Sequence, residues 1–320
     1  MSTFRWPELR VEDWEDTRDT LHLWMQILGK VQLVSTSLVN HWWNVSFEVS
    51  ARGLRTHLMR GPEAEVDGEF DFVDHRLVLR STNGEQREIA LEPKTVAAFW
   101  QEVQEALPQL GAECSIDARP NELATAIPFA EDTEHKSYDA ASANAFWRQL
   151  VSAENVFSAW RAGFAGKDSP VQVFWGSMDL ACARFSGRPA PKHTGSVPNC
   201  PPWVMQEAES RENSAAGFWP GGSSEGTFYA YVYPEPDGYR DGDLSPATFD
   251  TELGEWVLPY ETVRTSDDPD QTLMDFLDRT YAKAADLAGW DRKLLEVDPH
   301  RLDRYLYPRG EKHWPRSAKS

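Results

Sequence analysis

Cysteine is scarce in this sequence, with only Cys114, Cys182 and Cys200 among 320 residues. The number is odd and the three positions lie far apart, which argues against a disulfide framework. Free thiols are typical of proteins in a reducing compartment. The sequence therefore predicts a cytoplasmic protein.

Long apolar runs are also missing. No stretch approaches the ~18 consecutive apolar residues that a membrane-spanning helix needs. The first twenty residues lack the basic start and apolar run of a secretion signal. We therefore expect no membrane partner.

Positive charge is outnumbered, since 32 lysines and arginines face 51 aspartates and glutamates for a net charge of -19. A chain with this balance repels phosphate backbones, and it contains no run of basic residues that would offset the repulsion. We therefore expect no nucleic-acid partner. A polar small molecule is the expected ligand, and homo-oligomerisation stays open.

The motifs of several common enzymes are absent. The stretch GFWPGGSSEG is glycine-rich but has neither the lysine nor the strand-to-helix setting of a phosphate-binding loop. Ser177 lies in GSMD, which is not the G-x-S-x-G turn of a serine hydrolase. His193, Cys200 and Glu207 match no standard zinc spacing. We therefore expect no cofactor and no metal. The less favoured alternative is a mixed-ligand zinc site formed by His193 and Cys200 with Glu207, Glu209 or Glu212.

What is present indicates a globular protein, with 41% apolar and 26% charged residues. We divide the chain into an N-terminal half (1–120), a connecting segment (121–140), a C-terminal half (141–290) and a tail (291–320). Each half contains a helix, several strands and a closing helix. IALEPKTV is similar to WVLPYETV, and LWMQIL to FWRQLV. This suggests a pseudo-two-fold internal duplication, with chance similarity as the alternative.

The N-terminal half shows clear periodicities. Apolar residues at helical spacing predict a helix from about residue 15 into the thirties, and a second helix from Val96 to Leu107. Strict alternation predicts a strand over HWWNVSFEVS. A meander follows over residues 64–91, with turns at Asp74-His75 and Asn83-Gly84. AECSID is read as one more strand.

The C-terminal half begins with a predicted helix over residues 146–164. Residues 171–185, apolar on both faces, predict one covered strand. A polar loop, a short acidic helix and a glycine-rich turn follow. Alternation predicts a strand over residues 227–233, then a hairpin turning near Gly254. Asp268 precedes a proline and predicts the N-cap of the last helix.

Runs of strands flanked by helices favour an α+β fold with antiparallel sheets. One continuous sheet with helices on one side and two facing sheets both fit this pattern.

Candidate site residues concentrate in residues 171–222. Asp179 lies in an apolar strand, where a carboxylate must be paired, hydrogen-bonded or neutralised. Arg184 is a candidate partner or ligand contact. We predict that Asp179, His193 and Glu207 or Glu212 supply acid/base groups. The alternative is that Asp179 has a structural role, either in a buried ion pair or as the cap of a turn that fixes the strand.

Aromatic residues are abundant, with fourteen tryptophans in the chain. Most fit core positions. We predict that a few face a ligand and line a pocket with apolar walls and polar tips: Trp42, Trp175, Trp219, Tyr229 and Tyr231. His135, in the acidic stretch AEDTEHKSYD, is a further ligand-binding candidate. The alternative for that stretch is a solvated turn that caps the next helix.

Several stretches resemble a bacterial family known only as a domain of unknown function. They are FWGSMDLACARFSGR, PNCPPWVMQEA, SAAGFWPGG, YVYPEP, HWWNVSFEVSARGL, FDFVDHRLVLR and EDTEHKSYD. The resemblance covers roughly residues 42–290. It implies a soluble bacterial protein without an assigned reaction, and it transfers no catalytic residues.

Two functions fit these features. The first is a soluble small-molecule-binding protein or a metal-independent hydrolase-like enzyme with a polar and aromatic pocket in the C-terminal half. The second is a non-catalytic binding or scaffold protein that uses an aromatic surface for docking or self-association. Convergence of three or more polar groups in one cleft favours an enzyme, and a flat aromatic patch with scattered charges favours docking.

Overall fold

A computed structural model describes residues 5–306, and its first part is a helix followed by an antiparallel meander. The elements are α1 (Val11–Ser35), a 3-10 turn (Asn40–Trp42), β1 (Glu48–Val49), β2 (Gly53–Arg55), β3 (Val66–Asp71), β4 (Arg76–Ser81), β5 (Gln86–Ala90) and α2 (Val96–Gln109). The five strands pair in chain order. Gly84, at φ 83°, closes the β4–β5 hairpin that Asn83-Gly84 predicted.

The second part builds a larger sheet. After a 3-10 turn (Phe129–Glu131) come α3 (Ala140–Arg161), β6 (Gln172–Phe174), β7 (Asp179–Pro189), α4 (Pro202–Ala208), β8 (Arg211–Trp219), β9 (Thr227–Tyr233), β10 (Thr248–Asp250), β11 (Glu255–Pro259), α5 (Tyr260–Arg264), α6 (Pro269–Leu287), α7 (Arg292–Leu295) and α8 (Asp303–Leu306). The strand order is β10-β11-β9-β8-β7-β6, with antiparallel neighbours throughout.

The two sheets are joined at their edges. Phe47, just before β1, and Val173 of β6 exchange backbone hydrogen bonds of 2.8 and 2.9 Å. This link places the edge of one sheet beside the edge of the other. The α+β class is confirmed, and at this point the sheets meet edge to edge rather than face to face.

The helices cover one side of this joined surface. Leu28 of α1 packs against Gly68 in the first sheet, α3 contacts both β1 and β7, and α6 contacts β8 and β9. Trp24 of α1 is fully buried and stacks on Phe99 of α2, with ring centres 4.8 Å apart. Within residues 5–306, no helix combines the length and apolarity needed to cross a bilayer.

Two strand predictions in the N-terminal half are wrong. HWWNVSFEVS forms a 3-10 turn and only the two-residue β1, because His41 and Trp42 adopt φ of 60° and 63° and break the extended backbone. AECSID has no strand conformation. Its alternating pattern is too short to select a strand without a partner strand.

Two further differences concern the C-terminal sheet. Residues 171–185 form the β6–β7 hairpin and not one strand, because a turn at residues 175–178, with Met178 at φ 63°, reverses the chain. Arg211–Trp219, for which no strand was predicted, is the strand β8, and the glycine-rich turn follows it. The small residues of β8 have low strand propensity by themselves. The division at residues 120 and 140 and the pseudo-two-fold duplication stay predictions.

Candidate functional site

The side of the larger sheet opposite the helices carries a row of tyrosines. In β9, Phe228, Ala230 and Val232 point into the core, so the alternating tyrosines point the other way. Strand register places further side chains on the same side. We call this set the tyrosine face: Asp179, Asn213, Ala215, Gly217, Trp219, Thr227, Tyr229, Tyr231, Tyr233 and Glu255.

Small residues of β8 make room for the tyrosine rings. Gly217 pairs with Tyr229, and Ala215 pairs with Tyr231. A Cβ atom at Gly217 would lie 2.3 Å from Cζ of Tyr229 and 2.4 Å from the carbonyl oxygen of Leu180. The tyrosine face therefore requires small residues in β8, and the same small residues give this segment its low strand propensity.

Asp179 begins β7 and is 7% exposed. Its Oδ1 accepts a hydrogen bond from Ser177 Oγ at 2.5 Å, and its Oδ2 accepts one from the Tyr229 hydroxyl. Burial raises the pKa of Asp179, while the two hydrogen bonds oppose that rise. Burial raises the pKa of Tyr229 well above its usual value, so the phenol keeps its proton and donates.

Two more carboxyl groups interact with Asp179. Burial and, to a smaller extent, repulsion from Asp179 raise the pKa of Glu122 to about 7. The same two causes, with a smaller effect of Asp250, raise the pKa of Glu255 to about 7. No cationic side chain among residues 5–306 lowers the pKa of either group. Asp179 thus raises the pKa of two other carboxyl groups, and both of these pKa values are about 7.

Polar side chains of α1 hold the backbone next to Glu122. Gln26 accepts a hydrogen bond from the Asn121 amide at 2.8 Å and donates one to the Asn121 carbonyl at 2.9 Å. Lys30, one turn further along, donates to the Arg119 carbonyl at 2.6 Å. Residues four apart lie on one face of a helix. This face of α1 therefore fixes the irregular segment that presents Glu122.

The turn before Asp179 is held from the same helix face. His22 Nε2 lies 3.0 Å from the Trp175 carbonyl and 2.9 Å from the Gly176 carbonyl. Burial lowers the pKa of His22, which favours the neutral ring that donates from Nε2. A Cβ at Gly176 would lie 2.0 Å from Glu122 Oε1, so a larger residue there would force the carboxyl out of its present position.

The other end of the tyrosine face carries a separate group. Glu209 accepts hydrogen bonds from Tyr231 at 3.1 Å and Asn213 at 2.6 Å, and burial raises its pKa. The ring of His193 lies 5.1 Å from that of Tyr233. At ~3.4 Å per residue, Tyr233 is about 13 Å along the strand from the tyrosine that binds Asp179. His193 and Asp179 therefore share a face but do not form a catalytic pair.

Three predicted polar residues make their contacts elsewhere. Arg184 points to the helix side of β7 and packs on Trp160. Glu212 accepts a hydrogen bond from Ser186 at 2.8 Å and forms an ion pair with Arg188 of β7. Glu207 accepts from the His41 amide at 3.2 Å. The structure does not bring these three residues to Asp179.

The predicted aromatic residues divide in a similar way. Trp219 is 41% exposed at the end of β8, and Tyr229 and Tyr231 are half-buried beside it. Trp175 is buried against Gly29 of α1. Trp42 donates its indole N–H to the Val204 carbonyl at 2.8 Å. Only the first three belong to the tyrosine face.

His135 lies away from this face. Its Nδ1 is 2.8 Å from Oδ2 of Asp132, and its carbonyl accepts from the amide of Val96 at the start of α2. Asp139 caps α3 through the Ser142 amide at 2.7 Å. The acidic stretch thus links the two parts of the chain and caps a helix.

The residues weighed as zinc ligands have separate contacts, those of Glu209 and Glu212 being given above. Cys200 lies 3.5 Å from the side-chain amide of Asn121, while Glu207 and His193 have the partners given above. In the part of the chain that the structure describes, no group of three or more histidine, cysteine, aspartate or glutamate side chains is arranged to hold a metal ion.

A cavity of about 740 Å³ lies outside the tyrosine face, beside the start of α1. Its lining includes Glu12, Asp16, Lys94, Lys136 and Tyr138. None of the predicted site residues lines it. Asp179 and Glu255 are on the tyrosine face, and Glu122 lies against Gly176 in the turn before Asp179, which is why we take that face as the candidate site.

Sequence reasoning missed Glu122 and Glu255, and it considered Glu209 only as an alternative zinc ligand. Glu255 had a usable signal, because alternation in the hairpin places it on the same side as Val257, which pairs with Tyr229. Glu209 immediately precedes a strand that was not recognised. Glu122 had no local signal, since its position depends on contacts with α1 and with Pro198, whose carbonyl accepts from its amide at 2.8 Å.

Comparison with known proteins gives one match. The chain matches no curated protein and no solved structure. The model of a family of unknown function, DUF5996, matches residues 6–297, which includes every residue of the tyrosine face. The chain therefore belongs to the DUF5996 family.

Proposed function

We propose that the protein binds a polar small molecule on the tyrosine face and supports metal-independent acid/base chemistry there, such as hydrolysis. One observation carries the proposal: Glu122 and Glu255 both titrate at about 7 and both interact with Asp179. A carboxyl group with a pKa near ambient pH can give and accept a proton within one catalytic cycle.

The surroundings of these groups support a ligand-facing role. Tyr229 and Tyr231 are half-buried and Trp219 is 41% exposed, so their rings offer apolar walls with polar tips. Within residues 5–306, no cationic side chain lowers the pKa of these carboxyl groups. A neutral or cationic ligand therefore fits the charge of this face better than an anion.

A thermal-shift screen against metabolites tests the binding proposal. We expect stabilising compounds to include neutral or cationic polar molecules and to lose most of their effect on Glu122→Gln and Asp179→Asn. Glu252→Gln, an exposed glutamate in the turn before Glu255, is the matched control and should bind like the wild type. Equal stabilisation of all four proteins would remove the tyrosine face as the site.

Any reaction found for a stabilising compound should depend on the same groups. We expect Glu255→Gln to lower its rate by 10²-fold or more, as loss of a general acid or base does. His193→Ala should have a much smaller effect, since His193 lies at the other end of the face. A rate unaffected by Glu255→Gln, with the fold intact, would contradict the acid/base role.

The alternative proposal is a non-catalytic binding or scaffold protein, and one observation favours it. Trp203 of α4 is 55% exposed and packs against Trp42 in a tilted arrangement, with ring centres 5.4 Å apart. Exposed tryptophans are frequent anchors of protein interfaces. Sedimentation velocity should then show concentration-dependent self-association that Trp203→Ala abolishes. A monomer at every concentration would count against self-association.

We also propose a cytoplasmic location in a bacterial cell. The three cysteines form no disulfide; Cys182 is buried, and Cys114 and Cys200 are half-buried. Unpaired thiols are typical of a reducing compartment. Fractionation of the native host would test the location.

A further inference from the structure

A buried arginine lies on the helix side of β7, across the sheet from the tyrosine face. Arg184 is 3% exposed. The carbon of its guanidinium lies 3.7 Å from the ring centre of Trp160, 4.4 Å from that of Tyr281 and 5.2 Å from that of Phe164. The group is thus enclosed by ring faces from α3, α6 and the segment between α3 and β6.

The charge of Arg184 has no anionic partner in contact. Among residues 5–306 no carboxylate forms an ion pair with it, and its Nε has no hydrogen-bond partner. Its Nη2 donates to the Trp160 carbonyl. Asp278 and Glu296 favour its charged form from a distance, yet burial outweighs them and lowers its pKa to about 10. Ring faces compensate part of the lost hydration, but they supply no hydrogen-bond acceptor in the plane of the guanidinium.

Two further donors in the same cluster are also unpaired. The indole N–H groups of Trp160 and Trp290 are buried and have no hydrogen-bond partner in the part of the chain that the structure describes. Tyr281 connects them, with its ring centre 6.2 Å from that of Trp160 and 6.1 Å from that of Trp290. Among residues 5–306 the cluster holds four unpaired polar atoms: Arg184 Nε and the two indole N–H groups, which cannot accept, and the Tyr281 hydroxyl, which can donate or accept. Buried donors without acceptors are rare in folded proteins, and each one calls for an explanation.

We propose that this cluster, defined by Trp160, Arg184, Tyr281 and Trp290, binds a monovalent halide ion such as chloride. A single negative charge matches the single guanidinium and provides an acceptor for the N–H groups around it. A compact ion with one charge is easier to dehydrate than phosphate or sulfate, which suits a site closed by aromatic rings. The site is separate from the tyrosine face, so it does not depend on the proposed function.

Thermal unfolding at constant ionic strength tests the proposal. Replacing gluconate by chloride should raise the midpoint of wild-type unfolding by about 2 °C at ten times the dissociation constant, with a saturating dependence on chloride. Arg184→Met, which keeps an apolar chain without the charge, should abolish the response. The matched control is Arg240→Met: Arg240 also lies over a ring, that of Phe249 at 5.6 Å, but is exposed and paired with Glu235. It should respond like the wild type.

A second measurement needs only the wild-type protein, in case Arg184→Met does not fold. Crystals grown in bromide should show an anomalous scattering peak within hydrogen-bond distance of Arg184 Nε, and competition with chloride should remove it. Two results would overturn the inference. One is a midpoint that is independent of chloride; the other is density for water alone, without an anomalous peak, beside the guanidinium.

Discussion

Replacing both Glu122 and Glu255 by glutamine should remove much of the fall in stability that the wild-type protein shows as the pH rises from 5 to 8. Folding raises the pKa of each group from about 4.5 to about 7. In this interval the native state holds protons that the unfolded state has released, so raising the pH favours unfolding. The stabilisation is complete below pH 4.5 and is lost as the pH passes 7.

A shift of this size corresponds to about 3 kcal/mol for one group by itself. The two effects should not add fully, because both carboxyl groups interact with Asp179. Urea unfolding at pH 5, 6, 7 and 8 measures the difference between variant and wild type. Glu252→Gln should keep the wild-type slope, since this glutamate is exposed. Parallel curves for the double variant and the wild type would show that the two groups titrate normally.

Gly217→Ala should destabilise the protein by about 2–3 kcal/mol, the usual cost of overpacking a close contact. The new Cβ would meet the Tyr229 ring at 2.3 Å and the Leu180 carbonyl at 2.4 Å. The ring can rotate away, but the carbonyl belongs to the paired strand β7 and can move only with it. Displacement of the ring would also break the hydrogen bond from Tyr229 to Asp179.

Tyr229→Phe separates the two effects of Gly217→Ala, which are the steric clash and the loss of the hydrogen bond to Asp179. It removes the hydrogen bond and leaves the ring and the strands in place, so its cost should stay near 1 kcal/mol. Chemical unfolding of both variants at pH 7 gives the comparison. Wild-type stability of Gly217→Ala would mean that the tyrosine face does not need the small residues of β8.

The Asp179 environment shows how a correct local expectation can lead to the wrong partner. A carboxylate in an apolar strand had to be paired or hydrogen-bonded, and it is. The partner is nevertheless Tyr229, fifty residues away, and not Arg184. Residues five apart in a strand point to opposite faces, so Arg184 is buried on the helix side.

Local signals were sufficient where the structure depends on a few neighbouring residues. Asn83-Gly84 and Gly254 place their hairpin turns, and Asp268 caps α6 through the Gln271 amide at 3.1 Å. Strict alternation likewise placed Tyr229, Tyr231 and Tyr233 on one side of a strand. Each of these features depends on backbone conformations or on a period that the sequence itself displays.

Only the tertiary structure decided the rest of the candidate site. The small residues of β8 form a strand because its neighbours supply hydrogen bonds on both sides and because the tyrosine rings need the space above it. Glu122 reaches the site because Gln26 and Lys30 hold its irregular segment from a helix about ninety residues earlier in the chain. Periodicity indicates which side of a helix or strand is buried. Which residues it contacts there depends on how distant segments of the chain pack.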